Sequence, residues 1–119
     1  MPLSPAVNRA DGVARMMGDA ALFARVLARF CKEYRHAADG IRGALAAGDI
    51  QLAQRLAHTL KGAAGMIEAV PLREEAQALE EELRHGGGDA GRRVMRLERA
   101  LDQVLRELDA ADGAAPPAS

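Results

Sequence analysis

Tryptophan is missing from this sequence, and one tyrosine and two phenylalanines make up its whole aromatic content, 3% of 119 residues. A β-sandwich or barrel draws heavily on such side chains; their scarcity, beside abundant Ala, Leu, Arg and Glu, favours helices packed through small aliphatic residues. The single cysteine, Cys31, excludes an internal disulfide and a cysteine-based metal cluster, which fits a reducing compartment, the cytoplasm by default. There is no run of 18 apolar residues and no basic stretch leading into an apolar one at the start, so neither a membrane span nor export is expected. An excess of charge is lacking too: 16 Lys and Arg oppose 17 Asp and Glu, a formal net charge of -1, which leaves no global field to attract nucleic acid or anionic lipid. The five arginines Arg92, Arg93, Arg96, Arg99 and Arg106 alternate with an apolar stripe and have no aromatic stacking partners. Finally, no GxxxxGK[ST] string is present, and the triple glycine at 86–88 follows a helix rather than a strand, which disfavours an ATP site.

What is present is helical periodicity, on a length suited to one domain. Ser4 and Pro5 look like a cap and first position of a short helix over about 5–17. Asp19 caps the next, whose apolar positions Leu22, Phe23, Val26, Leu27, Phe30, Tyr34, Ala37, Ile41 and Leu45 recur at three- and four-residue steps. Unbroken to Ala47 it would span roughly 40 Å, though Gly40 and Gly43 leave a break near Asp39 open. Gly48 and Asp49 end that helix and cap a third over about 50–67. Pro71 starts a fourth, with Leu72, Ala76, Leu79 and Leu83 as its stripe and the acidic run LEEEL as a solvated face. After the turn RHGGGDAG, a last helix carries Val94, Leu97, Leu101, Val104, Leu105 and Leu108 on one side. The expectation is an all-α protein: an antiparallel four-helix bundle with a short N-terminal helix over 1–110, and a flexible tail over 111–119.

The third helix carries the chemistry. On an ideal wheel Leu52, Leu56, Leu60, Ala63 and Ile67 fall within about 80°, and His58 lies roughly 200° from their middle, pointing into water. Gly62 and Gly65 lie one and two turns along on the histidine's own face. Each costs the helix about 1 kcal/mol relative to alanine, but each strips a side chain from the surface beside the imidazole and lets another protein come close. Lys61 borders this bare strip, where an ammonium could neutralise an anion on the ring. Gln51, Gln54 and Arg55 share the face. An imidazole, with a reference pKa near 6.5, is mostly neutral at pH 7 and keeps a free lone pair able to attack an activated phosphoryl group.

These residues resemble the histidine phosphotransfer (HPt) domain family of multistep two-component signalling. The likeness is carried by AHTLKGAAGMIEA, with GDAALFARVLARF and ALAAGDIQLAQRL ahead of it, and covers about residues 11–108. It implies a four-helix bundle with His58 as the phosphorylated nucleophile, Lys61 beside the phosphate and Gly62 as the access glycine. It also implies that Glu80 supplies a polar neighbour to the histidine. Its expected partners are response-regulator receiver domains or a hybrid histidine kinase. No cofactor of its own is expected, magnesium coming from the receiver. The family usually has glycine where this chain has Glu68; on the ideal wheel Glu68 sits roughly 20° from Lys61 and adds negative charge to the docking edge. An initial methionine and a short tail suit a freestanding carrier better than a piece of a hybrid kinase.

Two rival readings remain. A non-catalytic adaptor bundle would keep the fold and bind signalling partners without moving phosphate. A metal site using His36, His58 and His85 is poor, because no two of them have the three- or four-residue spacing that joins ligands on a helix.

Overall fold

Asn8, Asp19 and Asp49 each accept a hydrogen bond from the backbone N–H three residues on, at 3.0, 2.9 and 3.0 Å, and each starts a helix. In the computed structural model, which describes residues 5–114, the helices are α1 (Arg9–Arg15), α2 (Ala20–Tyr34), α3 (Ala37–Ala46), α4 (Ile50–Met66), α5 (Val70–Arg84) and α6 (Ala90–Ala114). With α2 and α3 as one interrupted arm, α4, α5 and α6 complete a four-membered ring: α4 packs on α3 and α5, and α6 closes it against α5 and the α2–α3 arm. Short connections make neighbouring arms antiparallel. α1 lies across α2 as the small N-terminal helix.

The core is aliphatic with two phenylalanines. Phe23, Leu27 and Phe30 from α2 and Ile41 from α3 meet Leu60, Leu72, Leu79, Leu97, Leu101 and Val104. Every predicted stripe position of α5 and α6 is buried. Cys31 is half-buried against this core. Gly12 is buried because the ring of Phe23 occupies the place of its missing side chain: a Cβ there would lie 2.1 Å from the ring.

Three boundaries differ from the sequence reading. Ser4 lies outside the described residues, and α1 begins at Arg9 with Asn8 as its cap, not at Pro5. Residues 6–8 are instead tied to other arms: the Ala6 and Val7 N–H groups donate to the Glu107 carboxylate of α6 at 2.7 and 3.2 Å, and Asn8 N–H donates to the Glu68 carbonyl at 3.0 Å. The long second helix breaks at Arg35–His36, earlier than Asp39, and both suspected glycines lie inside α3. The apolar stripe runs through the break in unbroken period, so the pattern does not reveal it; Arg35 there reaches across to Asp109 of α6 at 2.9 Å. At the other end α6 continues to Ala114, into the stretch read as tail, of which 115–119 lie outside the described residues.

Four helices close in the same way. After α1, α3, α4 and α5 the residue following the C-cap has positive φ: Met17 (57°), Gly48 (75°), Glu68 (58°) and Gly86 (106°). The next N–H reaches back to the carbonyl five residues earlier, as in Ala69 to Ala64 at 2.9 Å and Asp49 to Ala44 at 2.9 Å. Glycine serves this turn at no steric cost; Met17 and Glu68 take it at a penalty.

Candidate functional site

Ala53, Ala57, Leu60 and Ala64 form the buried line of α4, while Leu52, Leu56 and Ala63 are only half-buried on its flank. The expected stripe was therefore centred too far to one side. Measured from the line actually buried, His58 stands roughly 130° away on the wheel, at the shoulder of α4 rather than its back. Its side chain is 65% exposed, yet one edge of the ring meets α5.

That meeting is made by Glu80. The acidic run was expected to be a solvated face, and for Glu81 it is, but the Glu80 side chain is only 6% exposed. Its Oε2 lies 2.7 Å from His58 Nδ1, and Lys61 Nζ donates to its Oε1 at 2.6 Å. Arg84, one turn further along α5, brings Nη2 to 3.6 Å from Oε2. Burial pushes the Glu80 carboxyl up, but hydrogen bonds from Lys61 and His58, and the charges behind them, outweigh it and hold the group below its ordinary value. An ionised carboxylate only accepts, so Nδ1 carries the proton in this pair. In the neutral ring the lone pair is then on Nε2.

Gln51, Gln54 and Arg55 line an open depression of about 300 Å³ together with His58 and Glu80. Gly62 is exposed, and a Cβ on it would meet nothing within 4 Å; at Gly65 a Cβ would make ordinary contact, 3.5 Å from Cδ of Arg73. The structure thus groups Gln51, Gln54, Arg55, His58, Lys61 and Glu80. It does not bring Glu68 to them. α4 ends at Met66, so the ideal wheel does not reach Glu68, whose side chain is 14% exposed and paired with Arg15 of α1, with Arg15 Nε at 2.7 Å. Glu68 holds α1 to the end of α4 instead of charging a docking edge.

Arg84 escaped the sequence reading; the signal that marks it is its place four residues after Glu80. Of the other histidines, His36 is exposed and 3.7 Å from Asp39, and His85 ends α5 with Nδ1 2.8 Å from the Glu81 carbonyl. Among the described residues no group of three or more His, Cys, Asp or Glu is placed to hold a metal ion, and no helix is long and apolar enough to cross a membrane.

The site is thus an exposed imidazole whose inner nitrogen is held by a buried carboxylate, beside a lysine and a bare helical strip. The Hpt domain family matches residues 25–112, and the chain belongs to that family. No curated protein and no solved structure matches it. Hpt domains are phosphocarrier modules of two-component phosphorelays, and they work with receiver domains and kinases.

Proposed function

We propose that this chain carries a phosphoryl group on His58 Nε2 between the aspartates of receiver domains in a multistep relay of the cytoplasm. The observation that carries the reading is the 2.7 Å contact of His58 Nδ1 with buried Glu80, which leaves the nucleophilic nitrogen on an exposed ring. A receiver bearing an aspartyl phosphate docks over the depression and the strip at Gly62 and Gly65. The Nε2 lone pair attacks phosphorus as the bond to the aspartate oxygen breaks. In-line transfer depends on positioning and charge neutralisation more than on covalent help from the carrier, so the receiver can supply magnesium and its acidic ligands. Gln51, Gln54 and Arg55 offer hydrogen bonds and positive charge at the rim. Lys61 serves chiefly through Glu80, which it keeps ionised, and lies close enough to follow the charge that arrives on the ring.

Mixing the protein with phosphorylated receiver domains tests this. Acid-labile phosphate is expected on the wild type and none on His58→Gln. Label on both proteins, or on neither with every receiver tried, overturns the assignment.

A further inference from the structure

We propose that Arg55, and not Lys61, is the cation that meets the phosphoryl group on His58 Nε2 and neutralises it during transfer. The inference rests on the carrier reading and names the residue that serves the outer nitrogen of that same site.

Three residues along an α-helix turn the chain by about 300°, so Lys61 stands roughly 60° to one side of His58 and Arg55, three residues before it, roughly 60° to the other. The side of Lys61 is the side of α5: its Nζ donates to Glu80 Oε1 at 2.6 Å, and the other oxygen of that carboxylate faces Nδ1. Arg55 therefore rises on the flank turned away from α5, which is the flank left to Nε2. Helical side chains lean toward the N-terminus, so the His58 ring lies over the turn that holds Arg55 and away from Gly62. Both residues accordingly line the same open depression.

The charges divide in the same way. The Lys61 ammonium is engaged by Glu80, and Arg84, at 3.6 Å from Oε2, adds its charge to that same carboxylate. Arg55 is exposed and has no ion-pair or hydrogen-bond partner among the described residues. The α4 positions one turn to either side of it, Gln51, Leu52, His58 and Thr59, hold no carboxylate. Cβ atoms one turn apart on a helix are separated by about 5–6 Å, a distance an arginine stem spans. Its guanidinium is planar and always protonated, and its paired N–H donors match two oxygens of a phosphoryl group.

In the transfer step the Nε2 lone pair forms the N–P bond while the donor aspartate leaves as a carboxylate with the electron pair of the O–P bond. The three oxygens that stay on phosphorus keep their negative charge, and Arg55 donates to them; it forms no covalent bond and moves no proton. On the outward step a second aspartate bonds to phosphorus, the N–P pair returns to Nε2, and the guanidinium releases the oxygens with the departing group.

The test uses the full chain with Arg55→Gln and Arg55→Lys, both at an exposed position outside the core. Single-turnover transfer from a receiver domain charged with acetyl phosphate and magnesium is followed at rising receiver concentration, which separates the saturated rate from the half-saturating concentration. Arg55→Gln is expected to lower the saturated rate about tenfold while the half-saturating concentration changes less than about twofold, and Arg55→Lys to recover most of the rate. The phosphorylated chain, freed of receiver, is then titrated by ³¹P NMR. The second ionisation of its phosphoryl group is expected at higher pH in Arg55→Gln than in the wild type, because a neighbouring cation favours the dianion. Lys61, Glu80 and Arg84 are present in both proteins, so the difference reports Arg55. An unchanged saturated rate overturns the inference, and a raised half-saturating concentration beside it would make Arg55 a docking contact only. An unchanged ³¹P midpoint overturns it equally. In both cases phosphate on wild-type His58 leaves the carrier reading standing, whereas its absence there overturns both.

Discussion

Gly62 weakens α4, and nothing inside the molecule requires it, since a side chain there would stand in open space. On the carrier reading its use lies outside, in the approach of a receiver, and that separates stability from transfer. Gly62→Ala is expected to stabilise the protein by about 1 kcal/mol in chemical denaturation. Gly62→Leu should keep most of that stability yet slow phosphoryl exchange with a receiver at least tenfold; unimpaired exchange would show that partners do not approach over this strip. The exposure of His58 and Gly62 on α4 was legible in the sequence because one helix face repeats predictably. Burial of Glu80 was not. On the α5 wheel Glu80 and Glu82 flank the buried stripe at roughly 70° and 90° on opposite sides, and only the handedness of the bundle decides which of them faces α4. The likeness to HPt domains pointed to Glu80; the pattern of charges alone did not.

The helix ends tell a related story. Gly48 and the 86–88 glycines announced two of the four left-handed closures, while Met17 and Glu68 gave no such notice, because neither residue favours that backbone. Met17 is 96% exposed and so has no contact to lose. Met17→Gly is expected to raise stability by about 1 kcal/mol by removing the left-handed penalty. Glu68→Gly gains the same relief but gives up the tie to Arg15, so it should stabilise less and lower hydrogen-exchange protection of the α1 amides. Equal stabilisation by the two changes, with α1 protection untouched, would show that the Arg15 pair contributes nothing. The break at Arg35–His36 was hidden for the opposite reason: periodicity reports which side of a helix is buried and is blind to an interruption that preserves the phase.

Across the whole bundle, carboxylates held below their ordinary values link the arms. Glu98 is lowered by its hydrogen bonds to Arg42, Asp109 by those to Arg35, and Glu80 by Lys61 and His58 against the pull of burial. A carboxyl lowered on folding stabilises the fold above its unfolded value, 4.5 for Glu and 3.8 for Asp, and that contribution fades as pH falls through the lower folded value. Stability by denaturant titration should therefore hold from neutrality to about pH 5 and then drop, with a shallower drop in Glu80→Gln; an identical acid profile in that variant would remove Glu80 from the account. The ring of arms was readable from stripes and short connections, and the tie of residues 6 and 7 to Glu107 was not, since it joins backbone donors to a side chain a hundred positions away. Among the described residues, those grouped around the His58 ring come from α4 and α5, consecutive helices joined by the short connection at 67–69. The remaining arms brace that hairpin from behind. On the carrier reading, a site borne by one braced hairpin asks for no rearrangement of the other arms: the molecule would stand like a post at which callers stop in turn, and the news passed along would be a phosphorus atom.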